Sequence, residues 1–443
     1  MLAFAVLALV VAPVPGSRSV CGSGAWHRMA ATPGSIRCQA PDPQTDREPG
    51  TGLAILAAKA LTSAREGEQV IDHALVLVRD GRIEAIGDAR GTSVPPGYEV
   101  LDLGASWIMP GMIDLHSHIA GSLGDLNDTV YQTNEGLRAS CVVEPRNGAL
   151  QRVVAAGVTT VLFIPGSGSN VGGQGILLKT GRERFEEMRV RDPGSLKIAQ
   201  ADNPARWGYG MGRGMMNYHV RSSVRRGLAY ARACREAEES GIEPPRRNPQ
   251  FEVFRDLLAG STQVSTHTQV YQVVLMTITM LKGEFGLDVY IDHGEWQGFL
   301  AAPLATRLGV NAIVGPREVD TPAGRTDTDG KILGCAAGYQ ERGMSAIGFN
   351  TDAPVVPGEE LPLQAAMGVR YGFDNEELQA VRGLTIVPAL TAGIAERVGS
   401  LEPGKDADFV VLSGDPADPR TSIEKVLIEG RVVFEPAEEG RRW

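Results

Sequence analysis

Apolar residues recur along this chain in two rhythms. From residue 52 to about 103, and again from about 407 to 434, they form short strand-like runs parted by turn residues. The first block holds Ala54-Ile55-Leu56-Ala57, Ala74-Leu75-Val76-Leu77-Val78 and Arg82-Ile83-Glu84-Ala85-Ile86. The second holds Ala407-Asp408-Phe409-Val410-Val411-Leu412 and the run from Val426 to Phe434. Asp80-Gly81, between two of these runs, is a strong signal for a tight hairpin. Neither block is large enough for a core of its own, so residues 51–105 and 399–436 are expected to pair into one small sheet domain. Across 106–398, apolar strands alternate with helical stretches, the pattern of a parallel α/β architecture. Strands are predicted at 113–118, 158–164, 174–178, 196–199, 264–268, 289–293, 312–314 and 346–350. Eight such units suit a (β/α)8 barrel of the TIM type.

One interval breaks the spacing. Lys197 and His267 stand more than twice as far apart as one strand–helix unit requires. The excess, about 203–260, carries Arg206-Trp207, Tyr209, Tyr218-His219, Arg221 and Arg225-Arg226, and is expected to form a long loop with helices above the barrel mouth. Ahead of the structured region, Met1 to Ala12 is almost wholly apolar and runs into the breaker stretch Pro13-Val14-Pro15-Gly16-Ser17. This resembles the apolar part of an export signal, although the first basic residue, Arg18, follows it rather than preceding it. An exported or periplasmic protein and a cytoplasmic one with a disordered extension both stay open. Residues 17–50 read as a flexible leader, and nothing else approaches a membrane span.

Composition narrows the partners. Across 443 residues, 53 acidic side chains outnumber 43 basic ones for a formal charge of −10, which argues against a general nucleic-acid surface. Five scattered cysteines lack CxxC spacing, so no complete disulfide framework is implied. A small-molecule substrate is the expected partner, and assembly into a homo-oligomer stays open.

The chemistry begins at Asp114-Leu115-His116-Ser117-His118, entered through Trp107-Ile108-Met109-Pro110-Gly111-Met112-Ile113. Histidines at i and i+2 on a strand point to one side, so His116 and His118 can share a metal ion. His267, His293 and Asp352 each lie at or just past the end of a later predicted strand, where such a barrel presents reactive side chains. Gly-Met-Ile-Asp-Leu-His-Ser-His resembles the first barrel strand of the amidohydrolase superfamily, in particular the group related to imidazolonepropionase. The segments around His267, His293 and Asp352 resemble that family's later motifs in order, and the likeness runs from about 52 to 434. It implies a β-sandwich built from both ends of the chain, re-entered at Gly399-Ser400-Leu401-Glu402-Pro403-Gly404-Lys405-Asp406-Ala407-Asp408.

The resemblance also implies a metal site of His116, His118, His267, His293 and Asp352, with one or two divalent ions; zinc is the leading expectation, and iron or manganese fit too. A strand-four lysine, carboxylated by CO2, bridges two ions in many such enzymes. Lys197 is the candidate, with Lys179 on the third strand as its rival. Ala201-Asp202 stands where the related group is expected to carry Gly-Glu, which leaves that carboxylate without a role. The implied reaction is hydrolysis of an amide, cyclic amide or imidazolone C–N bond by metal-activated water, with Asp352 as general base and then acid and His293 assisting the attacked group. A deaminase of the same fold is the nearest alternative, but no HxxE follows His267, where Thr268-Gln269-Val270-Tyr271 stands. A catalytically silent interaction protein is the alternative from another class; such homologues lose ligands, and none is lost here. His219 and Arg221 could meet a substrate carboxylate but read better as a solvated face. Gly166-Ser167-Gly168-Ser169-Asn170-Val171-Gly172-Gly173 lacks the Lys-Ser/Thr ending of a phosphate loop and reads as a Gly-rich active-site loop.

Overall fold

Asp80 and Gly81 take φ of 50° and 76°, the left-handed pair that a two-residue hairpin of matching twist demands. They join β2 (Val70–Arg79) to β3 (Arg82–Asp88), with Arg79 opposite Arg82. This computed structural model describes residues 52–200, 202–204, 212–316, 318–319, 332–418 and 420–440. The expected leader, with Arg206, Trp207 and Tyr209 of the insertion, lies outside the described residues.

Strands from both ends of the chain share one eight-stranded sheet. β1 (Gly52–Leu61), β4 (Tyr98–Asp102) and β5 (Trp107–Pro110) belong to the first block. β14 (Phe409–Leu412), β15 (Ile423–Ile428) and β16 (Arg431–Phe434) belong to the second. The order is β16-β15-β14-β5-β1-β2-β3, with β4 added on β1. The seam between the two blocks is the antiparallel pairing of β14 with β5, Phe409 opposite Pro110 and Leu412 opposite Trp107. Leu53, Ile55, Val76, Ile108, Phe409 and Leu427 bury together beneath it, so each block supplies part of a core that neither could complete.

The eight strands predicted between these blocks all form. They are β6 (Met112–Ser117), β7 (Val158–Phe163), β8 (Val171–Lys179), β9 (Arg189–Ala199), β10 (Gln263–His267), β11 (Ile291–His293), β12 (Ala312–Val314) and β13 (Ile347–Phe349). The first five make one sheet in the order β10-β9-β8-β7-β6, and the last three another, so the architecture is mixed α/β. Bridges Val264–Val289 and Thr268–His293 lead from one sheet to the other, and Ser117–Ala353 returns to β6.

The expected strand–helix alternation fails at β8, which runs antiparallel to both β7 and β9. Only residues 164–170 separate β7 from β8, too few for the crossover of a dozen or more residues that a parallel return requires. Reversal has a consequence for the two candidate lysines. Gly173 at the start of β8 pairs with Lys197, whereas Lys179 lies at the other end of the sheet.

The insertion is helical, as expected. Its main helix, Arg213–Ser240, buries Met216, Val220, Val224, Leu228 and Ala231 at helical spacing and ends on Gly241 at φ 66°. It is fastened through Glu135, a fully buried carboxylate in the loop after β6 that accepts from Gln250 Nε2 at 2.7 Å and from Ser223 Oγ. Among the described residues, no helix is long and apolar enough to cross a membrane.

Lys179 is fully buried and donates to Asp406 and Asp408, each at 2.7 Å, while Arg397 takes Asp406 from the other side at 2.7 Å. One buried ammonium thus ties β8 to the chain entering β14. Removing one partner of such a group strands the others without compensation. Lys179→Met is therefore expected to lower unfolding free energy by about 3–5 kcal/mol in a denaturant titration; a loss near zero would contradict this role.

Candidate active site

Six side chains singled out from sequence converge where the strands of both inner sheets end. His116 lies near the end of β6 and His118 just past it, their rings 5.1 Å apart and edge to face. His267 ends β10, His293 ends β11, and Asp352 lies in the loop after β13. One ligand atom each from His116, His267, His293 and Asp352 fall within 4.8 Å of one another, and all four residues are buried. His118 Nε2 lies 3.3 Å from Asp352 Oδ1, as does His116 Nε2. His293 Nε2 is 2.9 Å from His267 Nδ1 and 4.0 Å from Asp352 Oδ2. Lys197, fully buried on β9, places Nζ 2.9 Å from His116 Nε2. Lys179, at the far end of β8, takes no part.

His293 and Asp352 both take positive φ, 69° and 48°. L side chains adopt this region at a cost, which persists only where neighbours enforce it. Gly294 N donates to Thr268 O at 2.9 Å behind His293, and His118 N donates to Ala353 O at 2.8 Å beside Asp352.

The outward-facing nitrogens decide what the inward-facing ones can do. His118 Nδ1 meets Ile164 O at 2.8 Å and His293 Nδ1 meets Gly315 O at 2.8 Å. A backbone carbonyl only accepts, so each Nδ1 carries the proton and each Nε2 turns a lone pair inward. His116 Nδ1 lies 2.7 Å from Asp292 Oδ2, which does the same only when ionised; burial pushes that carboxyl well above its usual range, offset in part by Lys197, so the His116 tautomer depends on the charge beside it. Burial pushes His116 and His267 well below the usual imidazole value, and His293 down to about 4, so protonation does not supply the missing positive charge. Burial also pushes Lys197 down to about 8, partly offset by Asp292 and Asp352. Lys197, still largely an ammonium at pH 7, supplies a positive charge beside His116 Nε2, while the lone pairs of His118 and His293 face the Asp352 carboxylate at 3.3 and 4.0 Å with no proton between them. Imidazole and carboxylate donors so arranged fit a divalent cation.

Around these donors lies a layer that sequence reasoning passed over. Asp114 accepts from His116 N at 3.0 Å and from Thr351 Oγ1 at 2.5 Å. Asp292 accepts from Asn350 Nδ2 at 3.2 Å on the oxygen not facing His116. Asn203 Nδ2 stands 3.4 Å from His267 Nε2. A signal was present: Asp114 and Asp292 are carboxylates inside otherwise apolar strand runs, expensive positions unless paired. The Gly-rich loop runs beside Lys197: Asn170 is bonded both ways to Ala199, and a Cβ at Gly172 would lie 3.6 Å from Lys197 Cγ, in ordinary contact. Arg221 instead pairs with Glu284 at 2.8 Å, and His219 stacks edge-on against Tyr218; neither joins the cluster.

Comparison with known proteins agrees with this geometry. The amidohydrolase family model matches residues 333–433. An amidohydrolase from Thermotoga maritima MSB8, solved by crystallography, is 30% identical, covers 86% of this chain and 100% of its own, and superposes with a TM-score of 0.75. An imidazolonepropionase from Pseudomonas entomophila is 26% identical over 395 residues, 81% of this chain and 92% of that protein. Amidohydrolase tasK from Hapsidospora irregularis is 24% identical over 408 residues, 83% of this chain, which spans only 40% of that longer relative. The chain belongs to the amidohydrolase family and is a hydrolase of carbon–nitrogen bonds other than peptide bonds. Proteins of this family generally bind divalent metals, and the His/Asp cluster fits that habit.

Past the end of β12, Glu318 is buried, and among the described residues neither carboxyl oxygen has a partner of good hydrogen-bond geometry. Burial, reinforced by neighbouring Glu295 and only partly offset by the Ala336 backbone, pushes its carboxyl up to about 8 from 4.5. The folded chain therefore keeps a proton that the unfolded chain releases, and stability from this group falls as pH rises from 4.5 to 8. Glu318→Gln should flatten the stability–pH curve in that window and stabilise the protein at pH 8. An unchanged slope would contradict the assignment.

Proposed function

We propose that this protein hydrolyses an amide, cyclic amide or imidazolone through a divalent metal centre held by His116, His118, His267, His293 and Asp352. The observation that carries the reading is the pair of buried Nε2 lone pairs, on His118 and His293, turned toward the Asp352 carboxylate with no proton between them. Under this reading the eight inner strands close as the family's barrel, and the sheet shared by both chain ends is a separate supporting domain. Zinc, iron(II) and manganese all suit the donors, zinc best in view of the histidine share. When bound, the ion acidifies a water toward neutrality and withdraws electrons from the group under attack.

The chain's own residues do the rest. Asp352, beside His116 and His118, accepts the water proton on its carboxylate and returns it to the leaving nitrogen. His293, whose Nδ1 donates to Gly315 O, turns an Nε2 lone pair inward and would act as a ligand; assisting the attacked carbonyl or C=N, the role the sequence suggests for it, needs a proton on that nitrogen. Lys197 Nζ, buried beside His116, is the candidate for carboxylation, in which the free amine takes up CO2, releases a proton and becomes an anionic oxygen donor. The relatives named imidazolonepropionase favour a small cyclic C–N substrate over a protein.

A panel of imidazolones, cyclic amides and N-acyl amino acids should include one that the purified protein turns over, and the double variant His116→Asn/His118→Asn should reduce that turnover to background. Unchanged turnover in the double variant would overturn the mechanism. Asp292→Asn should leave the fold intact yet weaken metal affinity about 10–100-fold, because the carboxylate that orients His116 loses its charge. Equal affinity in a chelator competition would remove Asp292 from the site.

A further inference from the structure

The opposite ends of the strands that carry Lys197 and His267 hold a second polar site. A cavity of about 450 Å3 opens there, lined by Arg191, Gln263, Lys282 and Asp288 among others. Gln263 begins β10 and His267 ends it, so the cavity lies about 13 Å along the strand from the catalytic cluster. It is separate from the active site, so what it binds does not rest on the function proposed above.

Its charge does not balance. Lys282 and Asp288 satisfy each other at 2.8 Å. Arg191 pairs with no carboxylate among the described residues. Its guanidinium donates only to neutral oxygens: Ala392 O at 2.7 Å, Gly194 O at 2.7 Å and Gln263 Oε1 at 2.6 Å. Ala392 caps a short helix, whose C-terminus offers at most about half a negative charge. Burial consequently pushes Arg191 down to about 10.

Two donors beside that charge are also unanswered. Among the described residues, Arg191 Nε and Gln263 Nε2 are buried without any hydrogen-bond partner, and Gln263 is only 5% exposed. The bond from Arg191 to Gln263 Oε1 fixes the amide so that Nε2 is the end left over. A buried donor left unsatisfied costs the folded chain its full desolvation penalty, and here two adjoin an uncompensated cation. Water could answer the donors but not the charge. A compact oxyanion answers both.

We infer that this cavity is a binding site for a small oxyanion, a carboxylate or a phosphate-type group, held by Arg191 and Gln263 at the end of the strands remote from catalysis. Its occupation would brace the starts of β9 and β10, the strands that carry Lys197 and His267. Binding needs the guanidinium to turn its Nε edge toward the cavity, because that edge is covered in this structure.

Thermal melting of the full chain against acetate, sulfate or inorganic phosphate, with sodium chloride matched for ionic strength, tests the site. The wild type should show a saturable rise of about 2 °C or more over chloride. A response to acetate but not to sulfate or phosphate would assign a carboxylate ligand, and the reverse a phosphate-type one. The same rise should persist in His116→Asn/His118→Asn, which separates this site from the catalytic centre, and vanish in Arg191→Met. Should Arg191→Met fail to fold, Gln263→Met keeps the cation and should weaken the anion about fivefold. No rise beyond chloride, a rise retained in Arg191→Met, or full affinity in Gln263→Met would each overturn the inference.

Discussion

Everything at the heart of this protein depends on mutual repulsion among acceptors. His118 and His293 spend their only protons on the carbonyls of Ile164 and Gly315, and their remaining lone pairs turn toward the Asp352 carboxylate in a buried space. Burial that lowers the imidazole pKa values removes the usual remedy of adding a proton. A site built this way is costly when empty and is relieved by a cation. Its energetics make sense as the resting form of a metal enzyme.

The fold's task is to hold that arrangement against its own repulsion. Strand ends supply precision, since neighbouring strands lock each backbone in register: Ser265 faces Lys197, and His293 faces Val314. Buried carboxylates then link one strand to another. Asp114 joins β6 to Thr351 beyond β13, and Asp292 joins β11 to both His116 and Asn350. Positive φ at His293 and Asp352 marks where the chain leaves its preferred conformation to aim a side chain. At the other end of β8, the Lys179 ion cluster fastens the inner strands to the shared sheet.

Much of this is legible in the sequence, for definite reasons. Strand positions follow from apolar runs bounded by turn or polar residues, and the hairpin from Asp80-Gly81, because such local signals depend on few neighbours. The choice between Lys197 and Lys179 is not legible, since both sit on apolar strands; it turns on the direction of β8, which the short link over residues 164–170 decides. Asp114 and Asp292 are in plain view, yet their partners Thr351 and His116 lie far away in sequence. Arg221 looks free as a sequence letter and is tied to Glu284 in space. Arg191 raises no signal, because a missing counter-ion can be recognised only once every neighbour is known.

Metal content per chain, measured by elemental analysis on protein purified without added metal, tests the central claim most directly. The account predicts at least one equivalent of a divalent transition metal that survives dialysis and is lost in His116→Asn/His118→Asn; two equivalents would also support a carboxylated Lys197. No metal bound, even after reconstitution with zinc, iron(II) or manganese, would contradict it.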